Sequence, residues 1–102
     1  MSILDDLFAP KPYPAESRDD VLRLVEELIT IGKKEDYLSE RPGYGYSGQC
    51  RHIRTIAIGK RLNEIGGLDL MLWVFRIIRR RVGKVAASHL EYAWGDIGKW
   101  QA

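Results

Sequence analysis

The chain has 102 residues, the length of one domain, and its 45% hydrophobic and 29% charged residues are typical of a globular protein. Its single cysteine, Cys50, excludes an internal disulfide and a cysteine-based zinc site. The first residues lack the basic and apolar regions of a secretory signal, and no apolar run approaches the roughly 18 residues that cross a bilayer, so we expect a cytoplasmic protein without membrane contact.

The chain begins with a segment rich in proline. Residues 1–16 are predicted to form an extended leader, because Pro10, Pro12 and Pro14 disfavour a helix and bias the residues before them toward extended backbone. Residues 17–102 are predicted to form a single helical domain. Four apolar residues precede the prolines and predict one helical turn that docks on this domain: Ile3, Leu4, Leu7 and Phe8.

The first helix is predicted to begin after Ser17 and to end near position 32. Ser17, followed three residues later by Asp20, resembles a capping box with aspartate in place of glutamate. Gly32 is predicted to follow the last helical residue, and residues 34–39 are predicted to add a short turn. Apolar residues recur at helical spacing and comprise Val21, Leu22, Leu24, Val25, Leu28, Ile29 and Ile31.

The stretch RPGYGYSGQCRHIR, residues 41–54, is predicted to be a loop that runs into a second helix. Its proline and glycines interrupt regular structure, and Ser47 is the predicted N-cap. The second helix then covers residues 49–65 and stops at Gly66. Gly59 lies inside it, where glycine is less favourable than alanine by about 1 kcal/mol, which indicates a point where another element approaches closely.

Two further helices complete the predicted fold. The third covers residues 68–82, with Gly83 after its last turn, and the fourth covers residues 85–94 and ends at Gly95. The expected fold is all-α, a compact antiparallel array of about four helices, with an armadillo-like pair of hairpins as the alternative. Three aromatic residues are predicted to cover the end of the core: Tyr92, Trp94 and Trp100.

The third helix divides into two sides at 100° per residue. Its apolar side contains Leu68, Leu70, Met71, Val74, Phe75, Ile78 and Val82. The opposite side carries Asp69, Trp73, Arg76 and Arg80, and exposed Trp and Arg are typical anchors of a protein interface. We therefore predict a non-enzymatic interaction module that binds a protein partner or self-associates through these four residues, with Trp73 exposed in the monomer.

The charge distribution predicts an alternative function. Residues 1–50 carry six Lys and Arg against ten Asp and Glu, a balance of −4, whereas residues 51–102 carry ten against four, a balance of +6. This asymmetry indicates either that the acidic first helix packs against the basic later helices or that the basic half associates with nucleic acid. In the second case, the contacts to nucleic acid or another anion are predicted at Arg51, Arg54, Arg61 and Arg79.

No catalytic set is predicted. Cys50 and His52 lie two residues apart, so they point about 200° apart on a helix and cannot share a metal ion. The sequence GYGYSG lacks the spacing of a phosphate-binding loop, and no strand precedes it. We therefore predict no enzymatic activity, no metal, no cofactor and no small-molecule substrate. A ligand-binding role would centre on Tyr44, Tyr46, Cys50 and His52.

Three linked motifs, IAIGKRLNEIGG, LDLM and HLEYAWGDIGKW, lie roughly within residues 55–100. Together they resemble a group of short bacterial proteins of uncharacterised function. The resemblance implies a bacterial cytosolic setting and transfers no activity. Its motif positions are mainly architectural: Gly59, Leu62, Asn63, Gly66, Gly67, Trp94 and Trp100.

Overall fold

The computed structural model describes residues 11–34 and 45–100, and within them it is all-α, as predicted. A 3₁₀ turn, Ala15–Ser17, leads into helix α1, Arg18–Lys33. Helix α2 covers Gly45–Arg81, and helix α3 covers Lys84–Ala93. Several predictions lie outside the described residues: the docking of Ile3, Leu4, Leu7 and Phe8, the short turn beyond residue 34, and the start of the glycine-rich loop.

Helix α1 buries the predicted apolar side, with Val21 and Leu28 fully inaccessible to solvent, although Leu22 is exposed. The predicted capping box is wrong, because the Ser17 side chain makes no capping hydrogen bond. The predicted stop at Gly32 is also wrong: the helix continues to Lys33, and Gly32 is buried. Gly32 lines the same cleft as the first residues of α3.

Helix α2 begins earlier than predicted. Its first residue is Gly45, so Ser47 lies inside the helix and is not its N-cap. The sequence GYSG is therefore the first turn of a helix and not a loop. Glycine lowers helix stability by about 1 kcal/mol per residue without forbidding the conformation, and no proline follows Pro42 in this region to prevent the helix.

A kink at Gly67 divides α2 into an N-terminal segment, residues 45–66, and a C-terminal segment, residues 68–81. The backbone there has φ 66° and ψ −156°, which is not helical. A straight helix of this length would extend about 55 Å at 1.5 Å per residue, longer than the 46 Å of the molecule's largest dimension. The described residues therefore contain three α-helices, and the non-helical Gly67 divides the second of them at the boundary that the sequence predicts between its second and third helices.

Helices α1 and α3 both pack against α2. Trp94, at the end of α3, is fully buried beside Gly59. A Cβ atom at position 59 would lie 2.5 Å from Trp94 Nε1, so only glycine leaves room for the indole. This confirms the predicted close approach at Gly59. The indole N–H also donates a hydrogen bond of 3.1 Å to the carbonyl oxygen of Thr55.

The C-terminal turn closes this end of the core. Trp100 is buried and meets Trp94 edge to face, with ring centroids 5.3 Å apart, and Phe75 at 5.6 Å. The prediction that aromatic residues cover the end of the core is confirmed for these two tryptophans. It is wrong for Tyr92, which is 72% exposed on the outer side of α3.

Candidate interaction surface

The C-terminal segment of α2 presents two different sides, as its sequence predicts. Val74 and Ile78 are fully buried, whereas the charged Asp69, Arg76 and Arg80 are exposed. The charged residues are separated by seven and four positions, so they lie along one stripe of the helix. The interaction residues predicted from the sequence are therefore brought together on one side of α2.

Trp73 belongs to this side but is not exposed as predicted. It is half-buried, because it packs against the hydrophobic core and residues of the leader also lie over it. The Tyr13 ring packs edge to face on the indole, with centroids 5.5 Å apart and the planes at 62°. The ammonium group of Lys11 lies 6.0 Å from the ring centroid. The indole is thus partly covered by residues that precede α1, and the rest of its surface remains accessible.

An open groove of about 450 Å³ runs beside Trp73, between the leader and α2. We call it the Trp73 groove, and it is lined by Lys11, Pro12, Asp69, Leu72, Trp73 and Arg76. It combines an apolar floor with charges of both signs, which is the composition of many specific binding sites. Arg80 lies about one turn beyond Arg76 and extends the surface past the groove.

The groove includes three residues that sequence reasoning missed, namely Lys11, Pro12 and Leu72. Leu72 precedes Trp73 and falls between the two sides of the helix, so the apolar periodicity does not assign it clearly. Lys11 and Pro12 belong to the sequence KPYP, which indicates an extended segment whose proline and aromatic residues are suited to contact an indole. That signal does not say where on the helices the segment binds.

Ion pairs join the acidic first helix to the basic second one. Arg54 donates two hydrogen bonds to the Glu27 carboxylate, at 2.7 Å and 2.9 Å. The pKa of Glu27 is lowered mainly by this hydrogen bond, against the smaller opposing effect of partial burial. Arg81 lies 3.8 Å from Glu26. Part of the charge asymmetry between the two halves of the sequence is therefore balanced inside the fold.

Three of the four arginines predicted to contact nucleic acid are engaged in contacts within the fold. Arg54 is paired with Glu27, and Arg61 lies 3.2 Å from Glu64 on the same helix. Arg51 is half-buried and takes part in contacts within the fold, whereas Arg79 is exposed in the last turn of α2. Much of the charge predicted to contact an anion is thus already engaged within the fold.

A group of cations that the sequence did not suggest lies where the three helices meet. Lys33 ends α1, Arg81 ends α2 and Lys84 begins α3, and all three line one cleft. Positive side chains near the carboxyl ends of α1 and α2 are favoured by the helix dipoles, which accounts for Lys33 and Arg81 without a ligand. We call this the basic cleft.

Of the residues considered for ligand chemistry, the side chains of Cys50 and His52 are described by the structure, and they do not lie together. Cys50 is exposed and His52 is buried, so the two side chains lie in different environments. Tyr46 lies in the first turn of α2, and Tyr44 is outside the described residues. Among residues 11–34 and 45–100, no group of three or more His, Cys, Asp or Glu residues is arranged to hold a metal ion.

Within the described part of the chain, no helix combines the length and the apolar character needed to span a membrane. Comparison of the sequence with protein-family models found no match. Comparison with curated proteins and with solved structures also found no match. The geometry of the Trp73 groove, with the residues around it, is therefore the main basis for a functional assignment.

Proposed function

We propose that this protein is a non-enzymatic helical interaction module that binds a protein partner through the surface formed by Asp69, Trp73, Arg76 and Arg80. The proposal includes a bacterial cytoplasmic setting, which the resemblance of residues 55–100 implies. It also includes an antiparallel arrangement of the helical segments around α2. A second copy of the chain is the alternative occupant of the surface.

The single observation that carries the proposal is the open groove beside a half-buried tryptophan. Trp73 and Leu72 supply apolar area, and Asp69 and Arg76 supply charges of opposite sign at its edges. Tryptophan and arginine are enriched among the residues that dominate interface energies, because they combine large contact area with directed polar groups. A partner that covers the indole would remove apolar surface from water and pair both charges.

The test is site-specific photocrosslinking in cells of the source organism. A benzoylphenylalanine replaces Arg76 in one variant and Lys60, an exposed residue of the N-terminal segment of α2, in a matched control. We expect discrete protein adducts from position 76 and none of the same mass from position 60. Sedimentation equilibrium of the purified protein distinguishes a partner from a second copy.

Two further results decide the proposal. Once the adduct is identified, Trp73→Ala should weaken binding of the purified partner by about 2 kcal/mol or more, as expected at an interface hot spot. Adducts that are identical from both positions, together with a monomer at all concentrations, would contradict a role for this surface.

Nucleic-acid association is the second candidate, and the basic cleft is the observation that favours it. Its cations are Lys33, Arg81 and Lys84. The exposed Arg79 and Arg80 lie in the same last turn of α2 as Arg81. Such binding would be electrostatic, with a log-log salt slope of about one unit per phosphate contacted. We expect weak, sequence-independent binding of a short DNA duplex that disappears near physiological salt. Tight binding that persists there would make nucleic acid the primary ligand.

A further inference from the structure

The leader already occupies part of the Trp73 surface as an extended segment. Pro14 has φ −65° and ψ 149°, the values of a polyproline II helix. Tyr13 contacts the Trp73 ring, and the carbonyl oxygen of Pro12 lies so close to Gly66 that a Cβ atom at that position would collide with it. The segment therefore lies against α2 beside the kink, where it contacts both Gly66 and Trp73.

This contact depends on side chains and shape and not on backbone pairing. In the part of the chain that the structure describes, the leader backbone forms the hydrogen bond from Ser17 N–H to the Pro14 carbonyl oxygen, which lies within the 3₁₀ turn. Lys11 and Pro14 are exposed, and Pro12 and Tyr13 are half-buried. A segment held in this way can be displaced without breaking secondary structure, because no ladder of hydrogen bonds has to open.

The receptor side has the features that recognise such segments. Proline-rich peptides bind to grooves lined by aromatic residues, since their backbone is ordered before binding and loses little entropy. Here the indole of Trp73 forms the aromatic floor, Asp69 lies in the groove together with the basic Lys11, and Arg76 is at the other edge. The occupant seen in the structure is thus a basic residue followed by proline, tyrosine and proline.

We propose that the face of α2 beneath the leader, formed by Asp69, Leu72, Trp73 and Arg76, is a receptor for an extended peptide of this chemistry, in which a basic residue precedes a proline-flanked aromatic residue, and that residues 11–14 are its intramolecular competitor. This inference rests on the proposed function and specifies the segment by which the partner is recognised. The partner's peptide takes the place of the leader, so the leader sets the apparent affinity of this face.

The experiment uses the full chain and a fluorescent peptide with the sequence PKPYPAE, which is that of residues 10–16. Tyr13→Ala weakens the leader contact while it leaves Asp69, Leu72, Trp73 and Arg76 of α2 unchanged. Because apparent affinity rises with the fraction of molecules whose leader is displaced, we expect the peptide to bind the Tyr13→Ala protein about two- to tenfold more tightly than the wild type, the factor expected for the loss of one edge-to-face aromatic pair. Fluorescence anisotropy measures both affinities.

Matched controls distinguish specific recognition of the peptide from non-specific binding. A peptide with alanine in place of tyrosine should bind the Tyr13→Ala protein at least tenfold more weakly than PKPYPAE does. PKPYPAE should likewise bind the Tyr13→Ala, Trp73→Ala double variant at least tenfold more weakly than it binds the Tyr13→Ala protein. Asp69→Asn, a change at an exposed residue that preserves the fold, should reduce affinity at least threefold at low salt. Val85→Ala, an exposed position on α3, should leave the affinity unchanged.

The outcomes that overturn the inference are distinct from those that overturn the proposed function. The inference is wrong if the folded Tyr13→Ala protein shows no saturable binding at millimolar concentrations of the peptide. It is also wrong if adding Trp73→Ala to this protein does not weaken peptide binding. A wild-type dimer that dissociates on Tyr13→Ala would make the occupant a second copy's leader and not a partner peptide. In each of these cases, protein adducts from position 76 would still support the proposed function, because crosslinking does not depend on the peptide.

Discussion

Two tryptophans of this protein, Trp94 and Trp73, lie in opposite kinds of environment. Trp94 is fully buried, fits against Gly59, and donates its indole hydrogen to the Thr55 carbonyl oxygen. Trp73 is half-buried: it packs against the hydrophobic core, and the ring of Tyr13 and the side chain of Lys11 lie over it. The first contact fixes the position of α3 on α2, whereas the second is made by a segment outside the helical core.

The difference shows that residue type does not decide which aromatic residue is architectural. The indole N–H of Trp94 has a hydrogen-bond partner, and the ring fills the space that Gly59 leaves by having no side chain. Its surroundings therefore accommodate one ring in one position. Trp73 lies next to an open groove with charged edges. A protein surface that keeps a large apolar side chain partly accessible is a candidate for binding. The predictions below test whether the two environments differ in energy as they do in geometry.

The largest effect is expected at Trp94. Trp94→Ala should lower the free energy of unfolding by about 3–5 kcal/mol, because it leaves a cavity in the core. Urea denaturation followed by far-UV circular dichroism measures this loss. Tyr92→Ala is the matched control on the same helix and should stay within about 0.5 kcal/mol of the wild type. A Trp94→Ala protein as stable as this control would remove the basis of the comparison.

The kink that separates the two tryptophans should have the next largest effect. Gly67 has φ 66° and ψ −156°, a region that is essentially restricted to glycine, and a Cβ there would have no neighbour within 4 Å. Gly67→Ala should therefore cost about 1–3 kcal/mol from backbone strain alone. A semisynthetic protein with D-alanine at this position should retain wild-type stability. Equal losses for both isomers would contradict the strain argument.

The leader contact is expected to contribute less. A double-mutant cycle of Tyr13→Ala and Trp73→Ala should give a coupling energy of about 0.5–1.5 kcal/mol, the range for an edge-to-face aromatic pair. The parallel cycle of Tyr13→Ala with Trp94→Ala should be additive, since the two residues belong to separate contacts. Coupling in the second cycle and not in the first would reverse the assignment of the two tryptophans.

The smallest effect belongs to the ion pair of Glu27 with Arg54. The pKa of Glu27 is lowered from its ordinary value of 4.5, mainly by the hydrogen bond from Arg54. The carboxylate therefore stabilises the fold above pH 4.5, and this contribution is lost as pH falls through the lower folded-state pKa. Both side chains are more than a third exposed, so we expect only about 0.2–1 kcal/mol. Glu27→Gln should destabilise the protein at pH 7 and have no effect at pH 2.

Apolar periodicity was sufficient to predict most of the fold. It assigned the buried sides of α1 and of the C-terminal segment of α2, because a helix must direct a stripe of apolar residues toward a core. The ends of the helices were less predictable, since packing and not local sequence decides them. Gly32 continues α1 beside the start of α3, and Gly45 begins α2 despite its low helix propensity.

The candidate site was predictable only in part. Helical spacing was enough to place Asp69, Trp73 and Arg76 on one stripe. It could not show that Tyr13 covers Trp73, because periodicity gives the direction of a side chain and not the segment that lies over it. Arg54 illustrates the same limit, since its pairing with Glu27 joins residues 27 positions apart.

The most direct test of the central claim, that Trp73 belongs to a binding surface and not to the core, compares Trp73→Ala with Ile78→Ala on the same helix. Both proteins are unfolded in urea under identical conditions. Ile78 is fully buried, so we expect Ile78→Ala to lower the free energy of unfolding by about 2–5 kcal/mol. Trp73→Ala should lower it by less than about 2 kcal/mol, because this change removes one edge-to-face aromatic contact and a partly buried side chain. A Trp73→Ala protein destabilised as much as Ile78→Ala would place the indole in the core and contradict the account.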